Sequence, residues 1–179
     1  IMNIGGMQLL KVSASDASEK ILPKTKEITI RIIIIYLLLT FLCAFFYKIF
    51  GMKFFDSLTH SMTTIATGGF SNYNDSIGHF NSFHIEITSM IFIVLGSIPF
   101  ISYIKYLSGQ KNIFYSDVQI KSFIKIIFFS ILIFFIYLFL FNKNFPEINL
   151  RHIAFNVISI LTGTGYVTTN FDSWGNFPL

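Results

Sequence analysis

Long, almost uncharged apolar runs constrain this chain more than any other feature of its sequence. Glu27–Phe50 and Ile120–Phe141 are each long enough to cross a bilayer as a helix, which takes about 20 mostly apolar residues. Phe83–Leu107 is a weaker third candidate because it contains Glu86 and Pro99, so we expect a protein-shielded helix that kinks at the proline. Charged residues make up only 12% of the chain, about half the share of an average soluble domain. The sequence therefore predicts a multi-pass membrane protein.

Charge and cysteine content argue against several other functions. A net charge of +4, dispersed along the chain without a basic cluster, gives no reason to expect nucleic-acid binding. The single cysteine, Cys43, lies in an apolar run, and we expect an ordinary buried or lipid-facing residue. The four histidines form no metal-ligand pattern, and the sequence contains no nucleophile–base pair, phosphate loop or dinucleotide fingerprint. We expect no enzyme and no cofactor.

Lysine and arginine are distributed unevenly around the predicted spans. Nine of the thirteen lie before the first span, between the second and third, or in the span ends that adjoin these stretches: Lys11, Lys20, Lys24, Lys26, Arg31, Lys105, Lys111, Lys121 and Lys125. Cytoplasmic loops carry an excess of positive residues. This bias predicts that Leu10–Thr25 and Ser108–Gln119 are cytoplasmic and that the stretches between the other span ends are external.

Two stretches rich in glycine and threonine fall on the predicted external side. They read TTIATGGFSNYND from Thr63 to Asp75 and SILTGTGYVTTNFDSWG from Ser159 to Gly175. Each follows a semi-apolar segment, Phe54–Ile65 or Asn149–Leu161, that is too short to span and is typical of a re-entrant or interfacial helix.

These stretches belong to an internal repeat with a period near 96 residues. Gly69-Phe70 matches Gly165-Tyr166, and DSIGHF, which begins at Asp75, matches DSWGNF, which begins at Asp172, after one added residue. A core helix has no reason to repeat a polar string of this kind, whereas two equivalent loops do. The pattern predicts an all-α membrane protein built from helix–pore-helix–filter-loop–helix repeats of the potassium-channel type.

The loop cores, Ala66–Ser71 and Thr162–Thr168, carry no charged side chain. Non-helical backbone at membrane depth is tolerated only where protein buries it or water reaches it. A ring of carbonyls can replace the hydration shell of a cation, and glycine permits the positive φ angles that aim successive carbonyls inward. Absence of carboxylates favours a large monovalent cation over Ca²⁺ or Mg²⁺. The alternative is a pair of external turns, with glycine for geometry and hydroxyl groups for solubility.

The loop motifs resemble those of the Trk/Ktr/HKT superfamily of potassium transporters, most closely the bacterial TrkH-type potassium uptake proteins. TTIATGGFSNYNDSIGHFNS resembles the second filter loop of that family, SILTGTGYVTT the third, and IGGMQLL the end of the first inner helix. The resemblance implies four repeats around one pore, each with a characteristic filter glycine. It assigns these glycines to Gly69 or Gly68 and to Gly165 or Gly163, and the following aromatic favours Gly69 and Gly165.

The resemblance also implies how the chain divides. Residues 1–24 are expected to be the end of the first inner helix and a cytoplasmic loop, 25–107 the second repeat, 108–115 a cytoplasmic loop, and 116–179 a third repeat without its inner helix. We therefore expect a fragment of a longer protein. The backbone carbonyls expected to bind K⁺ belong to Thr67, Gly68, Gly69, Phe70, Thr162, Gly163, Thr164, Gly165 and Tyr166.

Acidic residues toward the external side could form a weakly acidic mouth that concentrates cations. The best candidates are the repeat-related Asp75 and Asp172, and the others are Asp56, Glu86 and Glu147. The alternative is that all are ordinary helix caps and solvated loop residues. Glu86 lies near a helix end, where we expect its carboxylate to reach water.

The resemblance implies potassium uptake across the bacterial inner membrane, with lipid, a second copy in a homodimer and a cytosolic nucleotide-binding regulatory subunit as partners. The basic cytoplasmic stretches are a possible contact for that subunit, or serve topology and lipid headgroups. Two alternatives stay open: a Na⁺/K⁺ or H⁺/K⁺ symporter of the same fold, and a non-transporting membrane anchor subunit. A single loop does not fix K⁺ against Na⁺ selectivity, because it defines neither cavity size nor ligand number.

Overall fold

The computed structural model describes residues 18–141 and 150–169, together with their side chains except those of residues 18–24 and 141. All regular structure in these ranges is helical, as the sequence predicts. In chain order the elements are α1 (Ser18–Ile49), α2 (Phe54–Ile65), a short 3-10 helix (Ser76–Phe80), α3 (Phe83–Ser97), α4 (Phe100–Leu107), α5 (Ile113–Ser116), α6 (Val118–Phe141) and α7 (Leu150–Leu161).

Two helices of the described chain are long and apolar enough to cross a membrane, over Thr25–Ile49 in α1 and Val118–Leu140 in α6. Both present exposed isoleucine, leucine and phenylalanine side chains along their length, such as Phe41 and Phe128, as contact with lipid requires. Helix α1 begins earlier than the predicted Glu27, so its first turns fall within the predicted cytoplasmic stretch.

The third predicted span is not one helix. Helices α3 and α4 meet at an angle of 83°, which confirms the kink expected at Pro99 and leaves Phe83–Leu107 as two helices that are long and apolar enough to span only together. Proline lacks an N–H group and forces the preceding residue out of the helical region, and Ile98 is extended, with ψ at 136°. The Tyr103 hydroxyl donates to the Leu95 carbonyl at 2.6 Å across the bend and so satisfies a carbonyl at the broken helix end.

The short helix α2 lies between α1 and α3. The buried Tyr47 hydroxyl on α1 is 2.8 Å from both the Thr64 Oγ1 on α2 and the Ser89 Oγ on α3, which ties the three helices together. A Cβ atom added to Gly96 of α3 would lie 2.5 Å from the carbonyl oxygen of Ile65, the last residue of α2. Glycine is therefore required at this position for α3 to support the end of the short helix.

Helix α3 also packs against α7, which in turn packs on α6. The core runs continuously from α1 through α3 to Phe155 and Ile158 of α7. Cys43 is fully buried in this core, as expected for a residue without chemistry of its own. One inner helix thus supports both short helices, and this arrangement places the two loops that follow them near each other.

Candidate ion-binding loops

The two glycine-rich loops, defined here as loop 1 (Ala66–Ser71) and loop 2 (Thr162–Thr168), lie in direct contact. A Cβ atom added to Gly69 would lie 1.9 Å from the Thr164 carbonyl oxygen and 3.2 Å from the carbonyl carbon of Gly165. No side chain fits in that space, so only glycine allows the backbones to approach this closely. The structure brings together the two residues, Gly69 and Gly165, that the sequence register favours as filter glycines.

The two loops have the same backbone conformation. In loop 1, φ is positive at Thr67 (49°) and Gly69 (66°), and in loop 2 at Gly163 (72°) and Gly165 (82°). Thr67 and Gly163 are separated by the repeat period, and so are Gly69 and Gly165. A positive φ is uncommon for a residue with a side chain, which makes Thr67 a strained position. Gly68 has no positive φ, so the geometry favours Gly69 over its neighbour.

Matching hydrogen bonds hold each loop to the helix before it. The Gly68 N–H donates to the Thr63 carbonyl at 2.7 Å. At the equivalent position in loop 2, the Thr164 N–H donates to the Ser159 carbonyl at 2.9 Å. The side chains of the same two helix residues then reach the far end of each loop. Thr63 Oγ1 donates to the Phe70 carbonyl at 3.0 Å, and Ser159 Oγ donates to the Tyr166 carbonyl at 2.7 Å.

These hydrogen bonds separate the predicted filter residues into two groups. The carbonyls of Phe70 and Tyr166 accept hydroxyl groups and so fasten the loops. A second group accepts no hydrogen bond from any donor within 18–141 and 150–169, and it comprises the carbonyls of Thr67, Gly68, Gly69, Thr162, Gly163, Thr164 and Gly165. Of these, the Thr164 carbonyl is directed at the Cα of Gly69. The remaining free carbonyls are available to a ligand.

Tyr166 connects loop 2 to the back of loop 1. Its side chain is 1% exposed, and its hydroxyl group contacts the Thr63 hydroxyl and lies 3.2 Å from the His60 carbonyl and 3.4 Å from the Phe70 carbonyl. Burial raises the pKa of Tyr166, so the group keeps its proton and can donate to these carbonyls. The loop motif predicts a carbonyl role for Tyr166 but gives no sign of this side-chain role.

The segments that follow the loops are also tied together. Gly78 lies in the 3-10 helix after loop 1, and its N–H donates to the Val167 carbonyl at 3.1 Å. The Val167 N–H donates to Ser76 Oγ at 3.3 Å. A Cβ atom on Gly78 would lie 2.7 Å from the Thr168 carbonyl oxygen. Close packing against Thr168 therefore explains why the D-S-x-G-x-F string that follows loop 1 has a glycine at position 78.

The predicted acidic mouth is only partly present. Asp75 is exposed, while Asp172 and Glu147 lie outside the described residues. Asp56 is buried and accepts hydrogen bonds from Asn72 Nδ2 at 3.0 Å and from the Tyr73 hydroxyl at 2.9 Å. These two hydrogen bonds lower the pKa of Asp56, and the one from Asn72 has the larger effect. The expectation that Glu86 reaches water is wrong, because its side chain is 1% exposed and lies against Arg151.

The polar groups around the loops are therefore mainly peptide oxygens and hydroxyls. Within the described ranges, no group of three histidine, cysteine or acidic side chains is arranged to hold a metal ion. The sequence signal that could have identified the anchoring hydroxyls was present, since Thr63 and Ser159 are the same distance apart as the repeated glycines.

Comparison with known proteins agrees with this architecture. A family model described as TrkH, a cation transport protein, matches residues 2–177. The Trk system potassium uptake protein TrkI of Halomonas elongata is 32% identical over 97% of this chain and 35% of its own length. The Trk system potassium uptake protein TrkH of Escherichia coli is 30% identical over 99% of this chain and 38% of its own length. The chain thus spans little more than a third of the curated relatives it matches.

A solved structure shows the same fold. The crystal structure of the potassium transporter TrkH from Vibrio parahaemolyticus superposes with a TM-score of 0.70 and 31% sequence identity, over 79% of this chain and 31% of that one. The predicted class, an all-α membrane protein with pore-helix repeats, is confirmed by this likeness.

Proposed function

The chain belongs to the TrkH family of cation transport proteins, and we propose that it supplies two of the filter loops of a potassium uptake protein. The relatives reported above are named as potassium uptake proteins, and none is an enzyme. The observation that carries the proposal is the direct contact of two loops with the same backbone conformation. External turns without a pore function have no need to meet in this way.

We infer that the cation ligands are the free backbone carbonyls at the centre of each loop. Thr67, Gly68 and Gly69 supply them from loop 1, and Gly163 and Gly165 from loop 2. The carbonyls of Phe70 and Tyr166 hold the loops in place through Thr63 and Ser159. Neutral oxygens in a fixed arrangement can replace water around a dehydrated monovalent ion, whereas divalent ions usually recruit carboxylates.

The remaining parts of the proposal come from the family resemblance. Four repeats would surround one pore in the bacterial inner membrane, with the loops on the external side that the distribution of lysine and arginine predicts. The homodimer, the cytosolic nucleotide-binding regulatory subunit and the division at 1–24, 25–107, 108–115 and 116–179 stay predictions. The ligands contributed here are part of a ring whose other members lie outside this chain.

Growth at low potassium tests the proposal. The full-length protein is expressed in a bacterial strain that lacks its own potassium uptake systems, and Rb⁺ uptake is measured as a tracer for K⁺. We expect the unaltered protein to restore growth, Gly69→Ser to abolish it, and Gly165→Ser to weaken the K⁺ preference by a smaller amount. Gly51→Ser is the matched control, because Gly51 also has a positive φ, at 106°, but no atom of the described residues lies within 4 Å of its added Cβ.

The same experiment separates the alternatives. A membrane anchor would restore no growth, even when it is present in the membrane in normal amount. A symporter would take up Rb⁺ only with Na⁺ outside or with a proton gradient, so uptake is measured with each removed in turn. Uptake that is unchanged by both loop substitutions would contradict the filter assignment.

A further inference from the structure

A partly buried ion pair joins α3 to the N-terminal end of α7, close to where His152 Nδ1 lies 3.2 Å from Thr168 Oγ1 at the end of loop 2. Glu86 is on α3, in the first turn after Phe83, and Arg151 is the second residue of α7. Arg151 Nε lies 2.9 Å from Glu86 Oε2, with exposed side-chain fractions of 22% for the arginine and 1% for the glutamate. The two residues are far apart in sequence and belong to different repeats.

The surroundings leave these charges dependent on each other. The Nε and Oε2 atoms are at ion-pair distance, but neither makes an aligned hydrogen bond within the described part of the chain. Another titratable group near the pair is His152, with Nδ1 3.8 Å from the same carboxylate oxygen. Burial and the neighbouring Arg151 lower the pKa of His152, which favours its neutral form. A buried charge without its partner is costly, so each residue holds the other in place.

The position of the pair links it to loop 2. Helix α7 has 12 residues, which makes it about 18 Å long at about 1.5 Å per residue. At its C-terminal end, loop 2 is in contact with Gly69. At its N-terminal end, Arg151 is held by Glu86 and by the ring of Phe83, whose centroid is 5.7 Å from the guanidinium carbon. A short rigid helix fixed at both ends has one direction relative to α3, and that direction sets where loop 2 lies.

We propose that Glu86 and Arg151 are positioning residues that set the direction of α7 and thereby the ion selectivity of the filter. This proposal depends on the proposed function. Within the described residues neither side chain is hydrogen-bonded or ion-paired to a loop residue, so Glu86 acts through Arg151 and Arg151 acts through the α7 backbone. Helix α2, which precedes loop 1, has no equivalent arginine, because the residue one repeat period before Arg151 is Phe55. Loop 1 is supported instead by the hydrogen bonds of Tyr47 with α2 and α3.

Selectivity is the readout that distinguishes positioning from simple stability. In the full-length protein, Glu86→Gln, Arg151→Gln, Arg151→Lys and the double variant Glu86→Gln/Arg151→Gln are compared for the Rb⁺/Na⁺ uptake ratio and the KM for Rb⁺. Maximal rate is normalised to the amount in the membrane, since a loss of folded protein lowers the rate but changes neither the ratio nor KM. Lys53→Gln is the matched control, because Lys53 is an exposed cation just before α2 without an ion pair in the described ranges.

We expect each neutral single variant to change the Rb⁺/Na⁺ ratio by about tenfold, because a small misplacement of a reacting or ligating group can cost up to about 100-fold. The double variant should be no worse than either single one, and Arg151→Lys should keep most of the selectivity. Unchanged selectivity in Glu86→Gln, or additive effects in the double variant, would overturn the proposal. If Glu86→Gln does not reach the membrane, the two Arg151 variants decide. The same Rb⁺/Na⁺ ratio in Arg151→Lys and Arg151→Gln would overturn the positioning role.

A wild-type protein that takes up no Rb⁺ would overturn the proposed function itself. Wild-type uptake with a ratio that none of the variants changes would overturn only the positioning role. The two failures are therefore distinct.

Discussion

Loop 1 and loop 2 have the same backbone but different surroundings. The positive φ angles and the hydrogen bonds to the preceding helix recur at the repeat period. The glycines nevertheless differ, since an added Cβ would collide with loop 2 at Gly69 but, among the described residues, would meet no atom within 4 Å at Gly165. The aromatic residues differ as well, because Phe70 is 77% exposed and Tyr166 is 1% exposed. The repeat thus fixes the conformation of a loop, while its neighbours decide which atoms depend on it.

The largest expected difference is between Gly69→Ala and Gly165→Ala. Both add the strain of a positive φ, about 1–3 kcal/mol, but only Gly69→Ala also forces loop 2 to move. We expect Gly69→Ala to reduce Rb⁺ uptake about 100-fold, as a misplaced ligand can, and Gly165→Ala to reduce it much less. Uptake is measured in the full-length protein with Gly51→Ala as the control for strain. Equal losses would show that strain, rather than contact between the loops, explains the requirement for glycine.

The aromatic pair gives the second difference, in stability. Tyr166→Ala removes a buried ring and the hydroxyl that contacts Thr63, and we expect a loss of about 3–5 kcal/mol in the free energy of unfolding. Phe70→Ala removes an exposed ring, and the expected change is within about 0.5 kcal/mol. Denaturation of the purified full-length protein in detergent measures both. A large loss for Phe70→Ala would mean that its ring packs on residues outside the described ranges.

The anchoring hydroxyls should behave alike, which tests the symmetrical side of the comparison. Thr63→Val and Ser159→Ala each remove one hydrogen bond to a loop carbonyl. A hydrogen bond from a hydroxyl to a carbonyl contributes about 1 kcal/mol, and we expect losses of that size in both variants, each with weakened cation selectivity. Thr59→Val is a suitable control, since the Thr59 hydroxyl bonds only carbonyls of its own helix and Asn72. A loss confined to one of the two anchors would break the equivalence of the loops.

The smallest expected effect is a pH dependence from His60 in α2, whose equivalent in α7 is Asn156, a residue that does not titrate. His60 is fully buried, and its Nδ1 donates to the Asp56 carbonyl at 2.8 Å while Nε2 accepts from the Ser71 hydroxyl at 2.9 Å. Burial lowers the pKa of His60 below its ordinary 6.5, opposed by Asp56 and assisted by His79. Just below pH 6.5, the His60 ring therefore stays neutral in the folded state but binds a proton in the unfolded state.

Because the folded pKa of His60 is depressed, its neutral ring favours folding above pH 6.5, and that stability is lost as pH falls from 6.5 toward the folded value. The slope for one group is at most about 1.4 kcal/mol per pH unit. The nearby hydroxyls of Tyr73 and Tyr166 do not titrate in this range. The repeat suggests the control, His60→Asn, since Asn156 occupies the equivalent position. Thermal midpoints that fall equally from pH 7 to pH 5 in both proteins would contradict this assignment.

Much of the fold was predictable because its signals are local. The bounds of α2 agree with the predicted Phe54–Ile65, and α7 begins one residue after the predicted Asn149. Apolar runs fix the spans and the glycine pairs fix the loops, since each depends only on neighbouring residues. The break at Pro99 was also predicted, but its 83° angle was not, because that depends on the approach of Gly96 to Ile65 and on the hydrogen bond from Tyr103.

The sequence by itself determined that this chain lies in a membrane and carries two equivalent glycine loops, because hydropathy and repetition are properties of the chain alone. Only the tertiary structure decided that Gly69 touches Thr164, that Tyr166 supports the other loop, and that Glu86 is buried against Arg151. Each of these contacts joins residues of different repeats. Such contacts depend on how α3 is placed between two short helices, and no local pattern in the sequence encodes that placement.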